Sequence, residues 1–285
     1  MPPAIPAMTD LDQLVSLKKS DRMPVLFVGH GSPMNALEGN EYFRSWQALG
    51  EQFGTRRPRP QLILCISAHW LTEGWWLTAM TRPKTIHDFG GFPQELFDQQ
   101  YPVPGDPAAA RAISLLVRQR ASAPLGLDAG TWGLDHGAWA VLKPMFPEAD
   151  IPVIQLSMDY GRAPNDHYAL ARQLRALRER GVLIVASGNL VHNLGQMQRG
   201  ASASQAYDWA MEFDQTIAGY LQQGNLDALQ NFQKLGQLAK IAHPTYEHYL
   251  PLLYAAGAVE SGEPMRFFNT SFQGGSISMR SVVWG

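Results

Sequence analysis

Leu62-Ile63-Leu64-Cys65-Ile66-Ser67-Ala68-His69-Trp70 decides the fold. The run is apolar without alternation, as expected of a strand covered on both faces, and it runs into a histidine. The pattern recurs. Pro24-Val25-Leu26-Phe27-Val28-Gly29 leads straight into His30, and residues 182–187 are followed within five positions by His192. A further run covers residues 153–157. Strands are therefore expected over 24–29, 61–68, 153–157 and 182–187. Helical stretches fall between them, over 40–53, 107–121 and 163–180. In the last of these Leu170, Leu174 and Leu177 share one face and Gly181 supplies the stop, which leaves His167 as a solvated surface residue. Residues 265–272 and 276–284 flank Gly274-Gly275 and read as a hairpin. The sum is an α/β fold: a single domain with a central mixed, mostly parallel sheet flanked by helices. Residues 1–22 read as a loose N-terminal extension and 23–285 as the one folded domain.

Composition narrows the function classes. The 285 residues are 45% hydrophobic and 17% charged, which is ordinary for a globular domain. A net charge of -2 gives no electrostatic reason to expect nucleic acid or an anionic membrane as partner. The single cysteine, Cys65, excludes an intramolecular disulfide and a cysteine-based zinc site, and its apolar flanks mark it as a buried small hydrophobe. There is no apolar stretch of about 18 residues and no secretory-signal pattern, so a cytoplasmic protein is expected.

The chemistry lies in the histidines. Ligands of open α/β sheets bind beyond the carboxyl ends of the strands, where His30, His69 and His192 are expected. Neutral imidazole is the commonest protein ligand for a transition metal, so three at equivalent strand ends imply a metal site. Gly29 and Gly31 let backbone approach a bound group closely. A fourth stretch, His243-Pro244-Thr245-Tyr246-Glu247-His248, reads as a helix start with Pro244 in the first turn and His243 near the N-cap. Spacing leaves open whether Glu247 or His248 faces the site. Three histidines with an open position suit zinc, and two histidines with a carboxylate suit non-haem iron. His136 follows Asp135, which would cap a helix running to about Met145, and is a candidate acid/base group. The long irregular region over 81–107 contains His87, a candidate substrate contact, and Arg82 and Lys84, which would suit a substrate carboxylate. Trp70, Trp75 and Trp76 would wall an aromatic pocket. No nucleophile elbow, phosphate-cradling loop or dinucleotide fingerprint occurs.

Taken together, Gly29-His30-Gly31-Ser32-Pro33-Met34, Ser67-Ala68-His69-Trp70, Ile86-His87-Asp88-Phe89-Gly90-Gly91-Phe92-Pro93, Asp135-His136-Gly137, Ala186-Ser187-Gly188-Asn189 with His192-Asn193, and the stretch from Pro244 to Pro251 make the chain similar to one family. It resembles the class III extradiol ring-cleaving dioxygenases, in particular the 4,5-DOPA dioxygenase group, from about Met23 to the end. The resemblance implies metal-site histidines at His30, His69, His192 and His248, and a further active-site histidine at His136. It implies Fe(II) in the active enzyme, zinc in isolated protein, and a catechol and O2 as reactants. In the wider class the third ligand is a glutamate and the histidine similar to His192 is an acid/base group, so both roles stay open for His192. His243 has no role in the pattern. Phe89, Phe92 and Trp70 would suit the aromatic ring. Two other readings compete: a zinc-dependent hydrolase on a similar sheet, and a non-catalytic metal or catechol binder.

Overall fold

The computed structural model describes residues 14, 17–37, 39–119, 123–198, 200 and 205–285. In chain order its strands are β1 (Val25–Gly29), β2 (Leu62–Thr72), β3 (Trp76–Thr78), β4 (Gly126–Asp128), β5 (Val153–Asp159), β6 (Val182–Gly188), β7 (Met265–Phe268), β8 (Phe272–Gln273), β9 (Ile277–Ser278) and β10 (Ser281–Trp284). Its helices are α1 (Glu41–Gly50), α2 (Gln94–Phe97), α3 (Pro107–Leu116), α4 (His136–Met145), α5 (Pro164–Leu174), α6 (Asp208–Gln223), α7 (Leu226–Gln230), α8 (Gln237–Ala242) and α9 (Leu250–Ala258).

The large sheet has the order β4-β3-β5-β2-β6-β1-β10-β7. Its middle, β5-β2-β6-β1, is parallel throughout. Antiparallel neighbours enter on both sides, with β3 against β5 and β10 against β1. The unbroken apolar runs now have their cause. Val25, Phe27, Leu62, Leu64, Ile66, Val182 and Ile184 belong to one core, with α5 and α9 residues such as Leu170, Leu174, Leu252 and Leu253. Leu26, Val28, Ile63, Cys65, Leu183 and Val185 belong to the other, with Trp46 of α1 and Trp139 of α4. Successive side chains alternate between faces, and both faces are covered. Cys65 is buried as expected, and burial pushes its thiol well up.

Several expected boundaries move. The stretch over 163–180 is α5 followed by a tighter turn, Arg175–Arg180, closed by Gly181 at φ 70°. His167 is fully buried, not solvated. It lies on the inward stripe with Leu170, Ala171 and Leu174, where its Nδ1 is 2.8 Å from the Tyr254 hydroxyl of α9. The second expected helix, over 107–121, ends at Leu116, and residues 120–122 lie outside the described ones. The C-terminal hairpin is two nested ones. β7 pairs with β10, and between them β8 and β9 pair around Gly274 and Gly275, both with positive φ.

Of the expected extension over 1–22, most lies outside the described residues. Leu14 and Leu17 are buried, and the Ser20 N–H donates to the Glu179 carbonyl at 2.9 Å. No helix among the described residues is long and apolar enough to cross a membrane.

Candidate metal centre

The parallel strands β1, β2 and β6 end on one edge of the sheet, and the site is built there. His30 directly follows β1. Its N–H donates to the Gly188 carbonyl at 3.2 Å, and its carbonyl accepts from Asn35 Nδ2 at 3.0 Å. A Cβ at Gly29 would come within 2.7 Å of the Met279 backbone, so only glycine lets β1 end this close to the C-terminal segment. His69 was expected to end a strand, but β2 continues to Thr72. The register of β2 against β5 shifts between Ile66 and Leu71, so the strand is irregular where His69 sits. Such irregularities re-aim side chains near active sites.

His248 comes from a loop, not from a helix start. α8 ends at Ala242 with His243 as its C-cap, and α9 begins at Leu250 with Pro251 in its first turn. Pro251, not Pro244, is the proline pre-set for a helix start. The intervening loop is fastened to β6: the Asn189 N–H donates to the His248 carbonyl at 2.9 Å, and a Cβ on Gly188 would strike that carbonyl.

His30, His69 and His248 converge. One ring nitrogen from each lies within 4.8 Å of the others. His30 Nε2 and His69 Nε2 are 3.2 Å apart. On its far side each ring meets an acceptor. His30 Nδ1 is 3.0 Å from Ser187 Oγ, which itself donates to the Gly137 carbonyl at 2.5 Å, so Oγ must accept from the imidazole. His69 Nδ1 is 3.2 Å from Asp88 Oδ2. His248 Nδ1 is 2.9 Å from Glu247 Oε1. The proton of each ring is thereby placed on Nδ1, and the Nε2 lone pairs face inward. Glu247 and His248 were alternatives by spacing; the imidazole faces the cluster and the carboxylate holds it from behind.

His192 stands beside this trio. Its ring lies flat on that of His248, 3.4 Å between centroids and 6° between planes, and it groups with Glu247 and His248 rather than with His30 and His69. His136 opens α4, where Asp135 caps the helix as expected by accepting from the Ala138 N–H. Its ring centroid is 4.0 Å from that of His69 and 5.6 Å from that of His30. Beneath them Asp135 is fully buried and accepts from Ser67 Oγ at 2.6 Å and from Gln155 Nε2.

Burial pushes the imidazoles of His30 and His248 well below their ordinary value, and their histidine neighbours push the same way. His192 is lowered to about 3 by burial and by His243. Burial also disfavours charge on His69, but the Asp88 and Asp135 carboxylates outweigh it and hold this imidazole above its usual value. Asp88 is itself partly desolvated, yet its contacts with His136 and His69 keep its carboxyl below the usual range.

The remaining candidates separate. Phe89 packs edge-on to His136 at 5.5 Å and to Phe92 at 5.4 Å. His87 Nε2 is 2.9 Å from the Gln99 carbonyl, and its ring packs on Phe89, Phe97 and Trp139. Trp70 is buried and stacked parallel to Trp132. Arg82 and Lys84 are exposed. His243 is buried, with Nε2 2.8 Å from the Leu190 carbonyl and rings of Phe213 and Tyr249 around it. It is a packing histidine of the α8 end. Asp88, Ser67 and Ser187 are the contributors that strand ends and histidine spacing did not single out, although all three stand inside or beside the quoted motifs.

The donor set fits a divalent transition metal. His248 Nε2 is buried with no hydrogen-bond partner, and two further Nε2 lone pairs turn toward each other beside it. That arrangement is unfavourable unless a cation or proton lies between the nitrogens.

Residues 24–277 match the family described as the catalytic LigB subunit of aromatic ring-opening dioxygenase. The chain belongs to that family, and with it to the class III extradiol dioxygenases. It is 47% identical over 271 residues, 94% of this chain and 97% of the relative, to the 4,5-DOPA dioxygenase extradiol of Escherichia coli strain K12. It is 34% identical over 259 residues, 90% of this chain and 94% of the relative, to the protein of the same name from Beta vulgaris. Its fold superposes with a TM-score of 0.77 on the crystal structure of an uncharacterized Escherichia coli K12 protein, at 42% identity, covering 93% of this chain and all of that one.

Proposed function

We propose that the protein opens the aromatic ring of a DOPA-like catechol beside its hydroxyls, consuming O2 and giving a ring-opened semialdehyde. The observation that carries the proposal is the convergence of His30, His69 and His248 through Nε2, each with Nδ1 facing an oxygen acceptor. These three residues would hold the metal, Fe(II) in the active enzyme, with zinc able to take its place in isolated protein. Such a metal supplies Lewis acidity and a common seat for the catechol oxygens and O2.

The chain's own residues do the rest. His192, neutral at pH 7 because burial disfavours its charged form, has the chemistry to take a phenolic proton and return it as the ring opens. Its flat stack on His248 keeps it at the edge of the metal-holding set, which suits an acid/base role better than a fourth ligand position. His136, against His69, is the second proton-handling group. Phe89 and Phe92 offer an apolar wall to the aromatic ring, with His87 packed behind Phe89. Trp70, stacked on Trp132, would stiffen the wall next to His69.

The test is a panel of catechols with protein reconstituted with Fe(II), followed by O2 uptake and product spectrum. Uptake accompanied by a new absorption at longer wavelength than that of the catechol, as a conjugated ring-opened semialdehyde must give, is expected for catechols carrying a DOPA-like side chain. Ester or amide hydrolysis by the zinc-loaded protein, with no O2 uptake for any catechol, would overturn the reading.

A further inference from the structure

Asp88 belongs neither to the metal-holding trio nor to the acid/base pair, yet it touches both. Its Oδ2 lies 3.2 Å from His69 Nδ1, and its Oδ1 lies 3.0 Å from His136 Nδ1. The same Oδ1 accepts the His136 backbone N–H at 2.9 Å, and the His136 ring nitrogen lies against it without the geometry of a hydrogen bond. The Asp88 side chain is only 18% exposed, although the residue as a whole lies open to solvent. One side chain therefore sits across two imidazoles whose rings are 4.0 Å apart.

Its place in the chain adds a third connection. Asp88 is carried between His87 and Phe89 by the loop that walls the site. That loop is fastened just before it: the Ile86 N–H donates to the Leu134 carbonyl at 2.8 Å, and Trp139 Nε1 donates to the Ile86 carbonyl at 2.8 Å. Just after it, Phe89 lies against His136. The segment supplying the aromatic wall thus also sets the rings of a metal-holding and a proton-handling histidine.

We propose that Asp88 is a positioning residue that locks the His69 and His136 rings in register with each other and with the aromatic loop. The carboxylate draws the His69 proton to Nδ1 and turns its Nε2 toward His30 and His248; on His136 it occupies the Nδ1 side and leaves Nε2 as the free nitrogen. The proposal rests on the ring-cleavage reading for its catalytic consequence, but its structural content is readable without turnover.

Asp88→Asn separates the roles. The amide oxygen still accepts from the His136 N–H, so the start of α4 keeps its partner, while the amide NH2 opposes an imidazole N–H. Removing such an outer partner typically lowers metal affinity or activity about 10–100-fold. Affinity for zinc, measured by chelator competition, should fall by that range. The downfield imidazole N–H resonance of His69 in the metal-free protein should shift or vanish. At saturating Fe(II), kcat should fall more than KM rises. Asp88→Glu, which keeps a carboxylate, should recover part of the zinc affinity even if the Asn variant folds poorly. Unchanged zinc affinity and imidazole resonances in Asp88→Asn, or equal affinity loss in the Glu and Asn variants, would overturn the proposal. Wild-type protein that binds zinc and shows the resonance but cleaves no catechol would overturn the ring-cleavage reading and leave this positioning role standing.

Discussion

His30, His69 and His248 are oriented by three different acceptors, a hydroxyl, a loop carboxylate and the adjacent glutamate, and the three do not carry equal charge. Ser187 is the mildest test of that arrangement. Ser187→Ala removes the acceptor of His30 Nδ1 and should lower zinc affinity about 10-fold in chelator competition, near the small end for an outer partner; full affinity would show that the hydroxyl does not set the ring. His192→Ala should retain the metal and lose about 10²–10⁴-fold in kcat, the usual size of an acid/base contribution. Loss of metal with activity would instead make His192 a ligand. His167 gives a separate, non-catalytic prediction. Its buried imidazole is lowered to about 4, so the unfolded chain binds a proton there more readily than the folded one between about pH 6.5 and 4. Stability must therefore fall as pH drops through that window, by about 2 kcal/mol between pH 6.5 and 5 from this residue, and the slope of urea midpoint against pH should flatten in His167→Gln. An unchanged slope would mean that His167 is not the group being charged. The sequence made His30, His69 and His192 visible because each follows an apolar run. It hid Asp88 and Ser187, whose partners are near in space and far along the chain. His167 reads as a solvated residue in the sequence, although in the fold it stands in the same buried stripe as Leu170, Ala171 and Leu174.

At the scale of elements, strands buried on both faces were legible because nothing interrupts their apolar runs. β3 and β4, of three residues each, carry no such signal and are defined by their pairing with each other and with β5. The loop over 243–249 reads as a helix start because a proline lies at its head, but a second proline, Pro251, marks the true one. The first turn of α4 is a tight joint in the site. A Cβ on Gly137 would collide with Ser67 Oγ and come within 2.9 Å of His69 Cδ2. Gly137→Ala should therefore push the His69 ring out of line, weakening zinc binding about 10-fold or more while the far-ultraviolet circular dichroism stays native, on the scale seen when ligand orientation is lost. Wild-type affinity in this variant would show that β2 and α4 have slack between them.

The molecule as a whole is a sheet whose two cores fix three strand ends, and the metal would tie to that edge a loop from near the C-terminus. Binding to the folded state alone must stabilise it: at 100 times Kd the gain is about 2.7 kcal/mol, and a chain of this size should lose about 5 °C in Tm when a chelator removes the metal. His69→Ala should abolish the difference between loaded and chelated protein; a chelator effect that survives this substitution would locate the metal elsewhere. The most direct test of the account is an anaerobic mixture of the Fe(II)-loaded protein with a DOPA-like catechol, to which O2 is then admitted. The account predicts no product before O2 enters and one O2 consumed per ring opened afterwards, with both abolished in His30→Ala. Product formed without O2, or ring opening at the wild-type rate in His30→Ala, would contradict it.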